Sequence, residues 1–285
     1  MKAERLFDLT MTLGEGPVWD EKTRALLWVD ITEGRLWRHA FSTRKSVSRD
    51  LGESVGMACL TPGGREVLAL KKSIVMLGED MNTVLVDGVE NDLPDSRFND
   101  GKCDAMGRLL VGTMGQEGKA HLYILEKGKP LRALLSGVTI SNGIGFSPDS
   151  TRLYYADTPT GHLWQFDYDL ETGGISNRVP LIDYTREEGD FDGLCVDDEG
   201  MLWVAHWGGH QVSRWDPKTG KKIGKIEVPA PFVTSCCFFG DRMDQLAITT
   251  CRGWDEELQM AYPLSGALFV VEPGVTGPYA NRFGK

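Results

Sequence analysis

The sequence predicts an all-β fold: a six-bladed β-propeller with four-stranded blades around a central channel. Three features carry this expectation. Short apolar or alternating runs are separated by tight-turn signals, helical periodicity is nearly missing, and one segment recurs six times at blade-length spacing. The runs fall at residues 25–30, 66–70, 109–113, 153–157, 202–206 and 245–250. Most follow a turn such as Thr61-Pro62-Gly63-Gly64, Asp104-Ala105-Met106-Gly107, Ser147-Pro148-Asp149-Ser150 or Asp197-Asp198-Glu199-Gly200. Glycine and aspartate tolerate positive φ and proline presets φ, so such clusters reverse the chain.

The recurring segments lie just upstream of those turns. They read Gly14-Glu15-Gly16-Pro17, Val55-Gly56-Met57-Ala58, Asn99-Asp100-Gly101-Lys102, Asn142-Gly143-Ile144-Gly145, Asp192-Gly193-Leu194-Cys195 and Thr234-Ser235-Cys236-Cys237. From Gly16 through Gly56, Gly101, Gly143 and Gly193 to Ser235 the steps are 40, 45, 42, 50 and 42 residues. That is the length of a four-stranded blade. The Asp-x-x-x-Gly strings at 169–173 and 216–220 sit where an outer hairpin should turn. The stretch 4–10 precedes the first marker, so it is expected to complete the last blade near 267–271 and close the ring. The whole chain, 1–285, reads as one propeller domain. A β-sandwich is the alternative, but six units with matching internal order fit it poorly.

Composition bounds the function. With 31 Lys and Arg against 41 Asp and Glu, the formal charge of −10 argues against nucleic acid, whose phosphates must be neutralised by basic side chains. The N-terminal residues lack the apolar core of a signal peptide, and no run reaches transmembrane length. The 6 cysteines form no CxxC pair. Buried, reduced thiols in a cytoplasmic protein are expected rather than a disulfide framework.

First strands of propeller blades line the channel, so equivalent residues of different blades converge there. Glu15, Asn99, Asn142 and Asp192 stand at or just before the marker glycines. Four oxygen-bearing side chains in one funnel point to a hard divalent cation among them: Ca²⁺, Mg²⁺ or Mn²⁺, with Zn²⁺ or Fe²⁺ also served. Taken singly, Asn-Gly and Asp-Gly are also ordinary turn dipeptides. Other motifs carry less. The loop from Asp167 has glycine at its seventh position and Arg178 at its twelfth, which is a hairpin turn and not an EF-hand. The histidines occupy no repeated position, so Ser-His-Asp catalysis is only weakly signalled.

The strings Leu13-Gly14-Glu15-Gly16-Pro17, Ser96-Arg97-Phe98-Asn99-Asp100-Gly101-Lys102, Ser141-Asn142-Gly143, Phe191-Asp192-Gly193-Leu194-Cys195-Val196-Asp197 and Thr234-Ser235-Cys236-Cys237-Phe238 resemble those of the gluconolactonase and senescence-marker-protein (regucalcin) family. The resemblance runs in order from about Leu13 to the end. It implies one divalent metal held by Glu15, Asn142 and Asp192, with Arg97, Asn99 and Glu117 contacting the substrate. It also implies a carboxylic ester hydrolase that opens a sugar (aldono-) lactone to the free acid in pentose or hexose catabolism. Asp192 is then the expected general base, or else a ligand that steers the attacking water. Beside a Gly pair, Trp207 is a further candidate for stacking on a sugar at the mouth, and His206 is either a substrate contact there or, the favoured alternative, a hydrogen-bonded structural histidine. Two departures stand out: Phe191 replaces the usual proline before Asp-Gly, and the segment beyond Glu117 is shorter than in animal members. The alternatives are a non-catalytic scaffold or metal-binding propeller, and a metal-dependent esterase or phosphotriesterase using the same site.

Overall fold

A computed structural model describes residues 1–78, 82–184 and 188–285. Six antiparallel four-stranded units follow one another around an axis, as the repeat predicts. Their innermost strands are Gly14–Asp20, Val55–Leu60, Arg97–Cys103, Ser141–Phe146, Asp190–Val196 and Phe232–Phe239. Every marker residue falls in one of them. The sixth blade is completed by the N-terminal strand Glu4–Arg5, with Glu4 opposite Val270 and Arg5 opposite Phe269. This is the ring closure expected from the sequence. The two Asp-x-x-x-Gly strings connect the outer strands of blades four and five.

Burial follows from the architecture. Second strands such as Ala25–Asp30 are buried along their whole length, because a neighbouring blade covers each face. Outermost strands such as Lys45–Asp50 are largely exposed and polar. The core is a set of seams between blades. Leu27 and Val29 of blade one meet Ala58 and Leu68 of blade two, and Phe98 and Leu109 of blade three meet Met57 and Val67. Trp28 and Trp203 are fully buried in the seams that join blades five, six and one. Emptying such a site to alanine costs about 3–5 kcal/mol. Helix is confined, among the described residues, to the short segments Thr158–Thr160 and Glu256–Ala261.

Each innermost strand breaks register with its neighbour near its start. The shifts lie between Glu15 and Val18, Val55 and Met57, Phe98 and Gly101, Asn142 and Ile144, Phe191 and Leu194, and Val233 and Ser235. These are β-bulges, which re-aim side chains and tighten local twist. They explain the recurring glycines. Gly143 has φ +28, and a Cβ there would sit 2.6 Å from the Asp192 carbonyl oxygen. Six bulges at one level therefore turn polar side chains inward at one end of the channel.

A segment without periodic signal shapes the opposite end. Residues 276–284 cross it, with backbone hydrogen bonds from Asp198 N to Thr276 O, Phe283 N to Leu60 O and Gly284 N to Gly107 O. Arg282 adds hydrogen bonds to Asp20 (2.8 Å) and Glu21 (2.6 Å). One strap thus touches blades one, two, three, five and six.

Candidate active site

The bulged ends of four innermost strands bring Glu15, Asn99, Asn142 and Asp192 together, all buried. An unbroken relay of hydrogen bonds orders the amides. Arg97 Nη1 donates to Asn99 Oδ1 (2.7 Å) and to the Phe98 carbonyl (3.0 Å). Asn99 Nδ2 donates to Asn142 Oδ1 (3.1 Å) and to the Ser141 carbonyl (2.9 Å). Asn142 Nδ2 donates to Thr158 Oγ1 (2.9 Å), and Thr158 Oγ1 donates to the Phe191 carbonyl (2.9 Å). The relay spans blades three, four and five. It fixes each amide's orientation and ends on the residue before Asp192.

The carboxylates are ordered far less. Asp192 Oδ1 is buried with no hydrogen-bond partner. Glu15 Oε2 accepts only the neighbouring Gly16 N–H, at 2.8 Å. Burial, then the charge of Asp100, pushes the Glu15 carboxyl up to about 8. Burial, then Glu15 and Asp100, pushes Asp192 well above the carboxylate range. Arg97 pulls both down, while burial weakens its own hold on a proton. Among the described residues no ion pair within 4.0 Å joins Arg97 to either carboxylate. Such groups repel one another and take up protons unless a cation settles among them.

The donors fit a hard divalent cation. Among the described residues there is no cluster of three or more His, Cys, Asp and Glu side chains suited to a metal. The cage instead offers two carboxylates and one amide, Glu15, Asp192 and Asn142, an all-oxygen set of the kind that hard cations prefer. The orphaned Asp192 Oδ1 and the raised proton affinity of Glu15 mark where positive charge is wanted.

The remaining candidates divide. Glu117 is exposed, in the turn that follows the strand Leu109–Met114. Arg97 pairs with Met114, so this turn leaves at the cage end and forms its rim. Trp207 also lies at this end, partly exposed, opposite Phe232 in register and with its ring 4.6 Å from the Phe232 ring. His206 takes the structural alternative rather than a substrate contact. It is fully buried, Nε2 meets Ser213 Oγ at 2.6 Å and Nδ1 meets the Glu188 carbonyl at 3.0 Å, so neither nitrogen is free for a substrate. A histidine ending a strand points to whichever face the pleat dictates, and here that face is the interior of its blade.

Two participants escaped the sequence reading. Asp100 joins the cage electrostatically, with burial pushing its carboxyl up and Lys102 opposing. Alternation along a strand places Asn99 and Asp100 on opposite faces, but the bulge between Phe98 and Gly101 breaks that alternation. Its signal was the Asn-Asp-Gly string. Thr158 lies 16 residues beyond its partner Asn142, outside any repeat, and left no signal.

Comparison with known proteins follows the same geometry. Residues 13–252 match the model of the SMP-30/Gluconolactonase/LRE-like region family. Regucalcin of Xenopus laevis is 38% identical, with 99% of this chain and 98% of the relative covered. A luciferin-regenerating enzyme superposes with a TM-score of 0.93 at 29% identity, covering 99% of both chains. A calcium-binding protein, regucalcin from Agrobacterium tumefaciens, gives a TM-score of 0.92 at 29% identity, covering 99% of this chain and 97% of that one.

Proposed function

The chain belongs to the SMP-30/gluconolactonase family, and from that membership we propose that it hydrolyses a sugar lactone to the free aldonic acid in pentose or hexose catabolism. The unpartnered Asp192 Oδ1, buried beside Glu15 and Asn142, carries the reading. Glu15, Asn142 and Asp192 would hold one divalent cation, of which calcium is the one named for the Agrobacterium relative. Such a cation supplies the positive charge that polarises an ester carbonyl and lowers the proton affinity of a nearby water.

The chain's own groups do the rest. Asp192 either accepts the proton as water adds to the ring carbonyl or, as a ligand of the cation, steers that water into place. Arg97 is pinned through Nη1 to Asn99 and Phe98, so the rest of its planar fork is set for polyol oxygens or the nascent carboxylate. Asn99 and Asn142 are held by the relay and present fixed amide dipoles, which need no reorganisation during reaction. Glu117, on the rim, accepts from a sugar hydroxyl.

The test is a pH-indicator assay on a panel of aldonolactones, with chelator and then with Mg²⁺, Mn²⁺, Ca²⁺, Zn²⁺ or Fe²⁺. Metal-dependent opening faster than the spontaneous reaction is expected on at least one lactone. No acceleration on any member of the panel would sink the proposal.

A further inference from the structure

Below the carboxylate cage lies a cavity of roughly 150 Å³, lined at the far end by Pro278–Asn281 of the strap. Five of the six cysteines line it: Cys59, Cys103, Cys195, Cys236 and Cys237. None of them has a role in the lactonase site.

One pair is nearly in bonding position. Cys195 Sγ on blade five lies 3.6 Å from Cys236 Sγ on blade six. A disulfide requires roughly 2.05 Å between sulfurs, so the two must approach by about 1.5 Å to bond. The two backbones are already pressed together beside the pair. A Cβ on Gly193 would stand 2.6 Å from Ser235 Cβ and 2.8 Å from the Thr234 carbonyl oxygen. Lys102 enters the same cavity and donates to the Leu194 carbonyl at 2.6 Å, next to Cys195. The contact with Cys195 and then burial strengthen the Cys236 thiol's hold on its proton, and the Lys102 ammonium opposes them.

We propose that Cys195 and Cys236 are a redox-active dithiol that hydrogen peroxide entering the channel cavity oxidises to a disulfide between blades five and six. One thiol sulfur attacks the peroxide, the O–O bond breaks, and a sulfenic acid and water form. The second sulfur displaces the sulfenic oxygen as a second water. Two thiols and one hydrogen peroxide thus give one disulfide and two waters, with sulfur oxidised and the peroxide oxygens reduced. The bond staples the strand bearing Asp192, three residues away, to its neighbour. Reducing thiols reverse it.

The experiment exposes the intact protein to hydrogen peroxide, alkylates remaining thiols and maps tryptic peptides without reduction. The expected product joins the peptide containing Cys195 to the peptide containing Cys236 and Cys237, and dithiothreitol removes it. It should persist in Cys237→Ser and vanish in Cys236→Ser and Cys195→Ser. A second readout is the melting temperature, which should rise by roughly 5–10 °C on oxidation of the wild type and not of Cys195→Ser. A linkage that survives Cys236→Ser, or cysteines that remain unlinked or pass to sulfinic acid under excess peroxide, overturns the proposal. Should a serine variant fail to fold, the wild-type linkage and its reversal decide alone.

Discussion

Buried carboxylates at the strap end of the channel and in the cage at its other end have opposite surroundings. At the strap end each has an arginine. Asp104 accepts from Arg108 Nε (2.6 Å), Tyr168 OH (2.6 Å) and two backbone N–H groups. Asp197 accepts from Arg214 Nη2 (2.6 Å) and Nε (3.0 Å) and from Trp203 Nε1 (2.9 Å). Asp20 is bound by Arg38 and Arg282, and these contacts with Thr23 hold its carboxyl below the usual range despite burial. At the cage end Glu15 and Asp192 have almost no donors, and their proton affinity rises. The strap-end carboxylates are complete within the fold. Those at the cage are completed only by something brought in.

The largest effect should separate the two ends. Asp192→Ala is expected to lower kcat/KM by about 10²–10⁴-fold while leaving chemical denaturation unchanged or shifted to higher denaturant, because a repulsive buried charge is gone. Lactonase kinetics together with urea melts check it, and wild-type turnover would refute the assignment of Asp192. Asp197→Ala should do the reverse. Trp203 Nε1 is left buried without its acceptor and Arg214 keeps only Glu199, so stability drops by about 3–5 kcal/mol with kcat little altered. A variant that loses activity without losing stability would break the comparison.

A divalent cation at a hundredfold excess over its Kd should stabilise the wild type by about 2.7 kcal/mol. Thermal shift reads this directly, and the gain should vanish in Asp192→Asn and survive in Asp197→Asn.

His206 sharpens where the boundary runs, since it pairs with Phe191 at the cage end yet is complete within the fold. Burial pushes its proton affinity down to about 4, against 6.5 for the free side chain. Above pH 6.5 both the folded and unfolded forms are neutral there and nothing is lost. As pH falls from 6.5 towards 4 the unfolded chain takes up a proton that the fold refuses, so stability declines by roughly 3 kcal/mol. Urea midpoints measured across this window should slope less in His206→Gln, and the KM for lactone should not move. A raised KM would return His206 to the site.

The fold was largely legible because the bulges that build the cage also demand glycine or a small residue, which writes the repeat into the sequence at Gly16, Gly143 and Gly193. The same coincidence made Glu15, Asn99, Asn142 and Asp192 legible. Asp100 was hidden because alternation assigns it the wrong face, and a bulge cannot be placed from spacing alone. Thr158 was hidden because its contact with Asn142 depends on a turn outside the repeat. The strap was invisible for a different reason. Its bonds to Leu60 and Gly107 run through backbone N–H groups that almost any residue could supply.

That strap, together with the pairing of Glu4 with Val270, governs how the molecule comes apart. Arrays of like units touching only their neighbours can melt piecemeal, from the ends inward. This ring has no loose end: its last blade borrows a strand from the start of the chain, and its tail crosses from blade to blade. Loss of any one unit releases contacts in several others, so denaturation should be a single sharp event rather than a progressive fraying.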